Sequence, residues 1–152
     1  MELDALDLRI LRALQKDGRL QNNELAREVG LSPSPCLRRV RQLEEAGVIK
    51  GYVALLDPAL VGRQLTIFAR VWLRGQDVET VQAFTDAIRQ LPEVLECHLM
   101  VGDCDFLLRI AIANLDEYRR FQVEHLTKIP SVQSVKTEIP IQIIKQTTEL
   151  PI

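Results

Sequence analysis

The stretch Leu31-Ser32-Pro33-Ser34-Pro35-Cys36-Leu37-Arg38-Arg39-Val40-Arg41 opens with two prolines and then sets three arginines within four positions. It reads as the start of a helix. Ser32 suits the N-cap, where a hydroxyl can accept from free backbone N–H groups. Pro33 suits the first helical position, which needs no N–H partner. Pro35 still lies in the first turn, where proline costs little. Leu37, Val40 and Leu43 recur at three-residue spacing and predict the buried stripe, and Ala46-Gly47 ends the helix. Arg38 and Arg41 are three apart and share a face, whereas Arg39 is rotated from Arg38 by about 100°.

Two helices are expected upstream. Asp4 is a candidate N-cap for a helix striped by Leu8, Leu11 and Leu14 and closed by Asp17-Gly18. A shorter one runs from Asn22 or Asn23 to Val29, with Leu25, Ala26 and Val29 apolar, and Gly30 supplies a tight turn. Two helices joined this way form a helix-turn-helix, whose second helix enters the major groove of DNA by its N-terminal end. There, small polar residues and arginines approach base edges, and free N–H groups meet phosphate. On this reading Ser34, Arg38 and Arg41 contact DNA, with Pro33 and Pro35 at the same end and Arg38 reading bases. Ser32, Asn22 and Asn23 contact phosphate. Arg39 contacts phosphate or pairs with an acid inside the domain, and both roles stand open. Cys36 is assigned to packing. The competing reading is a solvated arginine face on an ordinary three-helix bundle.

Downstream, Val48 to Leu56 reads as a short extended segment, and residues 57–64, with Pro58 and Gly62, as a linker. The pattern then becomes strand, helix, strand, strand, helix, strand. Strands are expected over Thr66–Leu73, Val94–Val101, Asp105–Ile112 and Val132–Ile144, and helices over Asp77–Gln90 and from Asn114 to about Lys128. This is the ferredoxin-like βαββαβ order. The fold class is α+β, with residues 1–52 a helix-turn-helix domain, 53–64 a hinge and 65–152 the βαββαβ domain. In the first strand Ile67, Ala69, Val71 and Leu73 share one face. Phe68 and Trp72, with Leu107 and Ala111 of the third, occupy the other. Helices cover one face, so the second apolar face predicts a dimer through this domain.

Composition permits this reading without proving it. The 152 residues carry a net charge of −2. Residues 1–52 hold nine basic and eight acidic side chains, so the N-terminal part is mildly basic and the remainder acidic. The opening Met1-Glu2-Leu3-Asp4 lacks a signal-peptide pattern, and no apolar run approaches membrane-spanning length, so a soluble cytoplasmic protein is expected. Three cysteines without paired spacing, Cys36, Cys97 and Cys104, argue against a disulfide framework. Cys97 and His98 are adjacent in a strand and point apart, against a metal site. No P-loop, metal motif or nucleophile–base arrangement stands out, and no cofactor is expected.

The run from Asn23 through Ser32-Pro33-Ser34-Pro35-Cys36-Leu37 to Ile49 resembles the leucine-responsive (Lrp/AsnC) family of bacterial and archaeal regulators. Asp4-Ala5-Leu6-Asp7, Gly51-Tyr52 and the phrase Glu96-Cys97-His98-Leu99-Met100-Val101-Gly102-Asp103-Cys104-Asp105 resemble it as well. Arg38 stands where the leucine-responsive branch carries glutamate, which makes this helix more basic. The resemblance implies a winged helix-turn-helix joined by a hinge strand to a βαββαβ domain. It implies dimers that assemble into octamers or similar rings. It also implies DNA binding or assembly that responds to an amino acid of the leucine or methionine class, held between dimers. Carried onto this sequence, the effector site centres on Val101, Gly102, Asp103, Cys104 and Asp105. There backbone N–H groups would hold a carboxylate, and Asp103 or Asp105 an ammonium. Leu99 and the last-strand residues Glu138, Ile139 and Pro140 join them, Pro140 departing from the aliphatic residue expected there. Without the resemblance, Gly102 to Asp105 is a plain β-turn. An alternative on the same scaffold is a haem-precursor decarboxylase, for which only His98 and His125 are at hand.

Overall fold

A computed structural model describes residues 2–152. The chain forms two compact units, one comprising the segment through Leu55 together with Ile144–Ile152, the other Leu56–Ile143. The boundary near residue 55 falls within the expected hinge. The grouping of the last nine residues with the helical unit differs from the expected partition, which left them with the sheet. The cause is local. The Gln15 side chain donates to the Leu150 carbonyl (3.1 Å) and accepts from the Leu150 N–H (2.6 Å).

The helical unit contains α1 (Ala5–Lys16), α2 (Asn22–Val29) and α3 (Pro33–Glu45). Asp4 caps α1, accepting from the N–H groups of Leu6 and Asp7, and the Asp7 carboxylate reciprocates on the Asp4 N–H. Such a box satisfies donors that the helix itself leaves free. Gly30 sits at φ 75°, the left-handed conformation a tight helix-to-helix turn requires. Ile10, Leu25, Ala26, Val29, Cys36 and Leu43 form the core. The expected stripe on α3 is corrected in one place. Cys36 is fully buried, whereas Leu37 is 38% exposed and faces outward. The helical repeat of 3.6 residues carries the inward face along 36, 40 and 43, so a strict three-residue spacing drifts off it.

After α3 the chain turns at Gly47, with the N–H groups of Val48 and Ile49 both donating to the Leu43 carbonyl. The stretch 50–57 has no regular secondary structure, so the expected hinge strand does not form within one chain. A strand needs a hydrogen-bonding neighbour, and these residues have none here. Tyr52 anchors the start of the segment by donating to Glu44 (3.0 Å). Burial and the Glu44 carboxylate push the Tyr52 hydroxyl up to about 12.

The second unit is a four-stranded antiparallel sheet in the order β2-β3-β1-β4, with β1 Leu65–Leu73, β2 Val94–Leu99, β3 Phe106–Ile112 and β4 Val132–Glu138. Helices α4 (Val78–Arg89) and α5 (Leu115–Phe121) connect the strands in the βαββαβ order. Asp77 caps α4 through the Thr80 N–H, and Asn114 caps α5 through the Glu117 N–H. After α5 a π-helical turn, Gln122–Leu126, brings Leu126 into the core. Strand alternation places Ile67, Ala69, Val71 and Leu73 inward with Phe106, Leu108, Ile110 and Ile112. These pack with Phe84, Ile88, Tyr118 and Phe121 from the helices. Full burial of each large side chain stabilises by about 1.5–3 kcal/mol. Two strands end earlier than expected. β2 stops at Leu99, and β4 stops at Glu138 rather than continuing to Ile144. Pro140 has no N–H to extend the ladder.

Candidate nucleic-acid interface and effector region

The outward face of α3 is built by anchoring its opposite face. Cys36 and Leu43 are buried, so Ser34, Leu37, Arg38, Arg41, Gln42 and Glu45 line one shallow groove open to solvent. Ser32 stands at the N-cap, but its hydroxyl makes no capping bond. Pro35 at the third helical position removes one of the two N–H groups from which such a hydroxyl accepts, leaving that of Ser34. Ser32, Pro33 and Ser34 are all exposed at this helix end.

The residues expected to contact DNA do not all share this freedom. The Arg39 guanidinium pairs with Asp7 (2.7 Å) and Asp4 (2.8 Å). Of the two roles open to Arg39, the intradomain pair is the one formed in the structure. The hydrogen bonds that Arg39 donates to Asp7 and Asp4 push its guanidinium further up, while the Asp7 N–H and the Arg39 guanidinium hold the Asp4 carboxyl below its ordinary value. Asn22 is likewise occupied, its amide donating to the Pro33 carbonyl (2.8 Å) and tying α2 to the first turn of α3. Asn23 is exposed.

In the sheet unit, the turn between β2 and β3 is fastened to the end of β1. The Asp105 carboxylate accepts from the Leu73 N–H (2.7 Å) and from the Gln76 amide (2.9 Å). The Trp72 indole donates to the Asp103 carbonyl (2.6 Å). Cys104 is buried, whereas Val101 and Asp103 are exposed at the tip. Gly102 sits at φ 149°, a conformation side-chain-bearing residues rarely adopt, with open space where a Cβ would stand. Asp105 is therefore engaged in bracing the turn, and Asp103 is the carboxylate left exposed.

Within the single chain the two parts of the expected effector region are not brought together. The turn follows β1 residue Val71, which pairs with Phe106, while Glu138 pairs with Phe68. Trp72, which holds the turn, is four residues along β1 from Phe68, about 13 Å at 3.3 Å per residue. Glu138 is paired with Arg70 (3.2 Å), and Ile139 and Pro140 continue past the end of β4. Leu99 lies exposed at the end of edge strand β2.

The uncovered sheet face carries Phe68, Trp72, Leu107 and Ala111, each half-buried, among charged side chains. Arg109 pairs with Glu96 (2.6 Å), and His98 approaches the same carboxylate (3.2 Å). Arg109 and His98 together hold the Glu96 carboxyl down. Sequence alternation had located the apolar members of this face but not these ion pairs, which depend on strand register.

Comparison with known proteins gives two family matches. Residues 3–50 match a winged helix-turn-helix DNA-binding family, and residues 66–150 match the Lrp/AsnC ligand binding domain. The chain is 41% identical over 151 residues to the leucine-responsive regulatory proteins of Escherichia coli K12 and of Klebsiella pneumoniae, covering 99% of this chain and 92% of each. Among solved structures it is similar to a transcriptional regulator of Neisseria meningitidis crystallised as its L-Met complex. That similarity has a TM-score of 0.95 and 40% identity, over 99% of this chain and 97% of the other. An AsnC family transcriptional regulator from Agrobacterium tumefaciens gives a TM-score of 0.93 and 40% identity, over 98% and 97%.

Proposed function

The chain belongs to the Lrp/AsnC family of DNA-binding transcriptional regulators, and from that premise we propose how this molecule reads DNA and what adjusts it. It is a regulator with an amino-acid-binding domain and not an enzyme, which sets the decarboxylase alternative aside. Ser34, Arg38 and Arg41 read the major groove, with Arg38 on a base edge. Ser32, Pro33 and Pro35 at the helix end, and Asn23 of α2, lie along the phosphates. The observation that carries this reading is the groove of Ser34, Leu37, Arg38 and Arg41 on the solvent face of a helix whose other face is locked into the core.

The effector is a small aliphatic amino acid of the leucine or methionine class. Backbone N–H groups around Gly102 take its carboxylate and the exposed Asp103 its ammonium, with Leu99 and Val101 alongside. Glu138, Ile139 and Pro140 complete the site from another copy, because within one chain Glu138 pairs with Phe68, set back along β1 from the residues that hold the turn. The working unit is a dimer through the open sheet face, assembling further into an octamer in the cytoplasm.

The deciding experiment is a genome-wide DNA pull-down with the purified protein, repeated with leucine, with methionine and with neither. Recovery of a shared motif, with occupancy changed by one of the amino acids, is the expected result. Absence of specific sites in every condition would overturn the reading.

A further inference from the structure

The last residues of the chain lie against the first helix. Gln15 holds Leu150 by two hydrogen bonds, donating to its carbonyl at 3.1 Å and accepting from its N–H at 2.6 Å. One turn earlier on α1, the Arg12 guanidinium donates to the Ile152 carbonyl. Side-chain groups on α1 thus meet the main chain of Leu150 and Ile152, two residues apart, which is how an extended peptide is recognised without regard to its own side chains. A paired side-chain amide of this kind fixes the position of a peptide along the helix, because both its donor and its acceptor are used.

This segment is the continuation of β4. The strand ends at Glu138, Ile139 and Pro140 follow, and the chain rejoins the helical unit at Ile144. The DNA-reading unit is therefore attached to the sheet unit by two covalent crossings, one near residue 55 and one near residue 143. The first has no secondary structure and no hydrogen-bonded strand partner. The second begins at the residues assigned to the effector site and ends fastened to α1. The same α1 carries Asp7, which holds Arg39 next to the reading residue Arg38.

We propose that the face of α1 bearing Arg12 and Gln15 is a docking site for the chain's own segment Glu149–Ile152, and that this docked tail transmits effector occupancy from the end of β4 to the reading helix. The transmission rests on the functional reading above; the docking does not. An amino acid that orders Glu138–Pro140 changes the tension and path of the tail, and the tail is gripped at the helix that packs beneath α3. A tail released from α1 leaves both sites intact and removes their communication.

The test uses the full chain with Gln15→Ala and, from the other side of the contact, Leu150→Pro, which removes the N–H that Gln15 accepts. Hydrogen exchange in the wild type and Gln15→Ala reports the docking directly. The Leu150 amide should exchange about tenfold faster in Gln15→Ala, and equal rates would overturn the docking. Affinity for a DNA fragment selected with the wild type is then measured with and without L-leucine and L-methionine, alongside calorimetry for the amino acid. The wild type should change its affinity by about fivefold or more, the usual scale of allosteric coupling. Both variants should bind DNA and amino acid within twofold of wild type and show less than a twofold response. A full response in both variants would overturn the transmission. A wild type without any response would instead sink the functional reading, and the transmission with it, while the exchange rates still decide the docking.

Discussion

Arg38 and Arg39 are adjacent, yet the 100° step between them sends one to solvent and the other to Asp7 and Asp4. Arg38→Ala should leave the fold untouched and weaken binding to the preferred site by about 1–3 kcal/mol, with relaxed preference at one base position. Equal affinity and equal preference in a binding-site selection would exclude Arg38 from readout. Asp7 has the opposite character, being buried and serving both the α1 cap and Arg39. Asp7→Ala should cost about 2–3 kcal/mol, combining a lost cap with a lost charged hydrogen bond. Urea unfolding followed by circular dichroism measures it. Acid acts on the same cluster. The Asp4 carboxyl is held below its ordinary 3.8 by the Asp7 N–H and Arg39, so its contribution is complete above that value. It is lost as pH falls through the lower folded value. Glu96 and Glu117 are shifted in the same direction, by Arg109 and by the Ala113 N–H respectively. The urea midpoint should therefore hold steady from pH 7 to about pH 5 and fall below pH 4. Arg39→Leu should flatten the part of that fall due to Asp4.

At the scale of elements, the β2–β3 turn depends on Asp105 more than on its own backbone. Asp105→Ala leaves the Leu73 N–H and the Gln76 amide without their acceptor. The expected cost is about 2 kcal/mol, the range for a lost hydrogen bond to a charged group. The Leu73 amide should exchange faster while Ile67, deeper in the same strand, keeps its protection. Equal exchange at Leu73 in both proteins would mean that the turn is held some other way. Asp105 also marks where sequence reading stopped. The order of helices and strands, the caps at Asp4 and Asn114, and the inward residues of β1 and β3 were legible, because period and capping chemistry are local properties. So was the solvent face holding Ser34, Arg38 and Arg41. Leu37 was misplaced because a three-residue spacing approximates 3.6 only over a short run. The role of Asp105, the choice of partner for Arg39 and the grip of Gln15 on Leu150 join residues 32, 32 and 135 positions apart. No periodicity encodes such pairings. The effector residues were chosen by resemblance, and only register revealed that β1 separates them.

For the whole molecule, the proposed dimer through the open sheet face would decide whether one α3 acts alone or as a pair. Phe68 lies on that face, opposite Arg109 on one side and Glu138 on the other. In a lone chain a carboxylate at this position stands between Arg109 and Glu138 on a face open to solvent, so Phe68→Asp should fold with a small loss. Buried against a second copy, the same carboxylate would be desolvated, and a poorly compensated charge in an interface costs several kcal/mol. Sedimentation should therefore give a dimer or larger for the wild type and a monomer for Phe68→Asp at micromolar concentration. A dimeric Phe68→Asp protein would place the interface elsewhere. DNA binding supplies an independent reading of the same change. Two helices held at fixed spacing meet two half-sites one helical turn apart, and the second contact becomes intramolecular. Affinity for a paired site should fall at least about 100-fold in the variant. Affinity for a single half-site, which engages one copy of α3, should stay within twofold. Parallel losses on both sites would mean that the substitution damages the reading unit itself, and the pairing argument would fail.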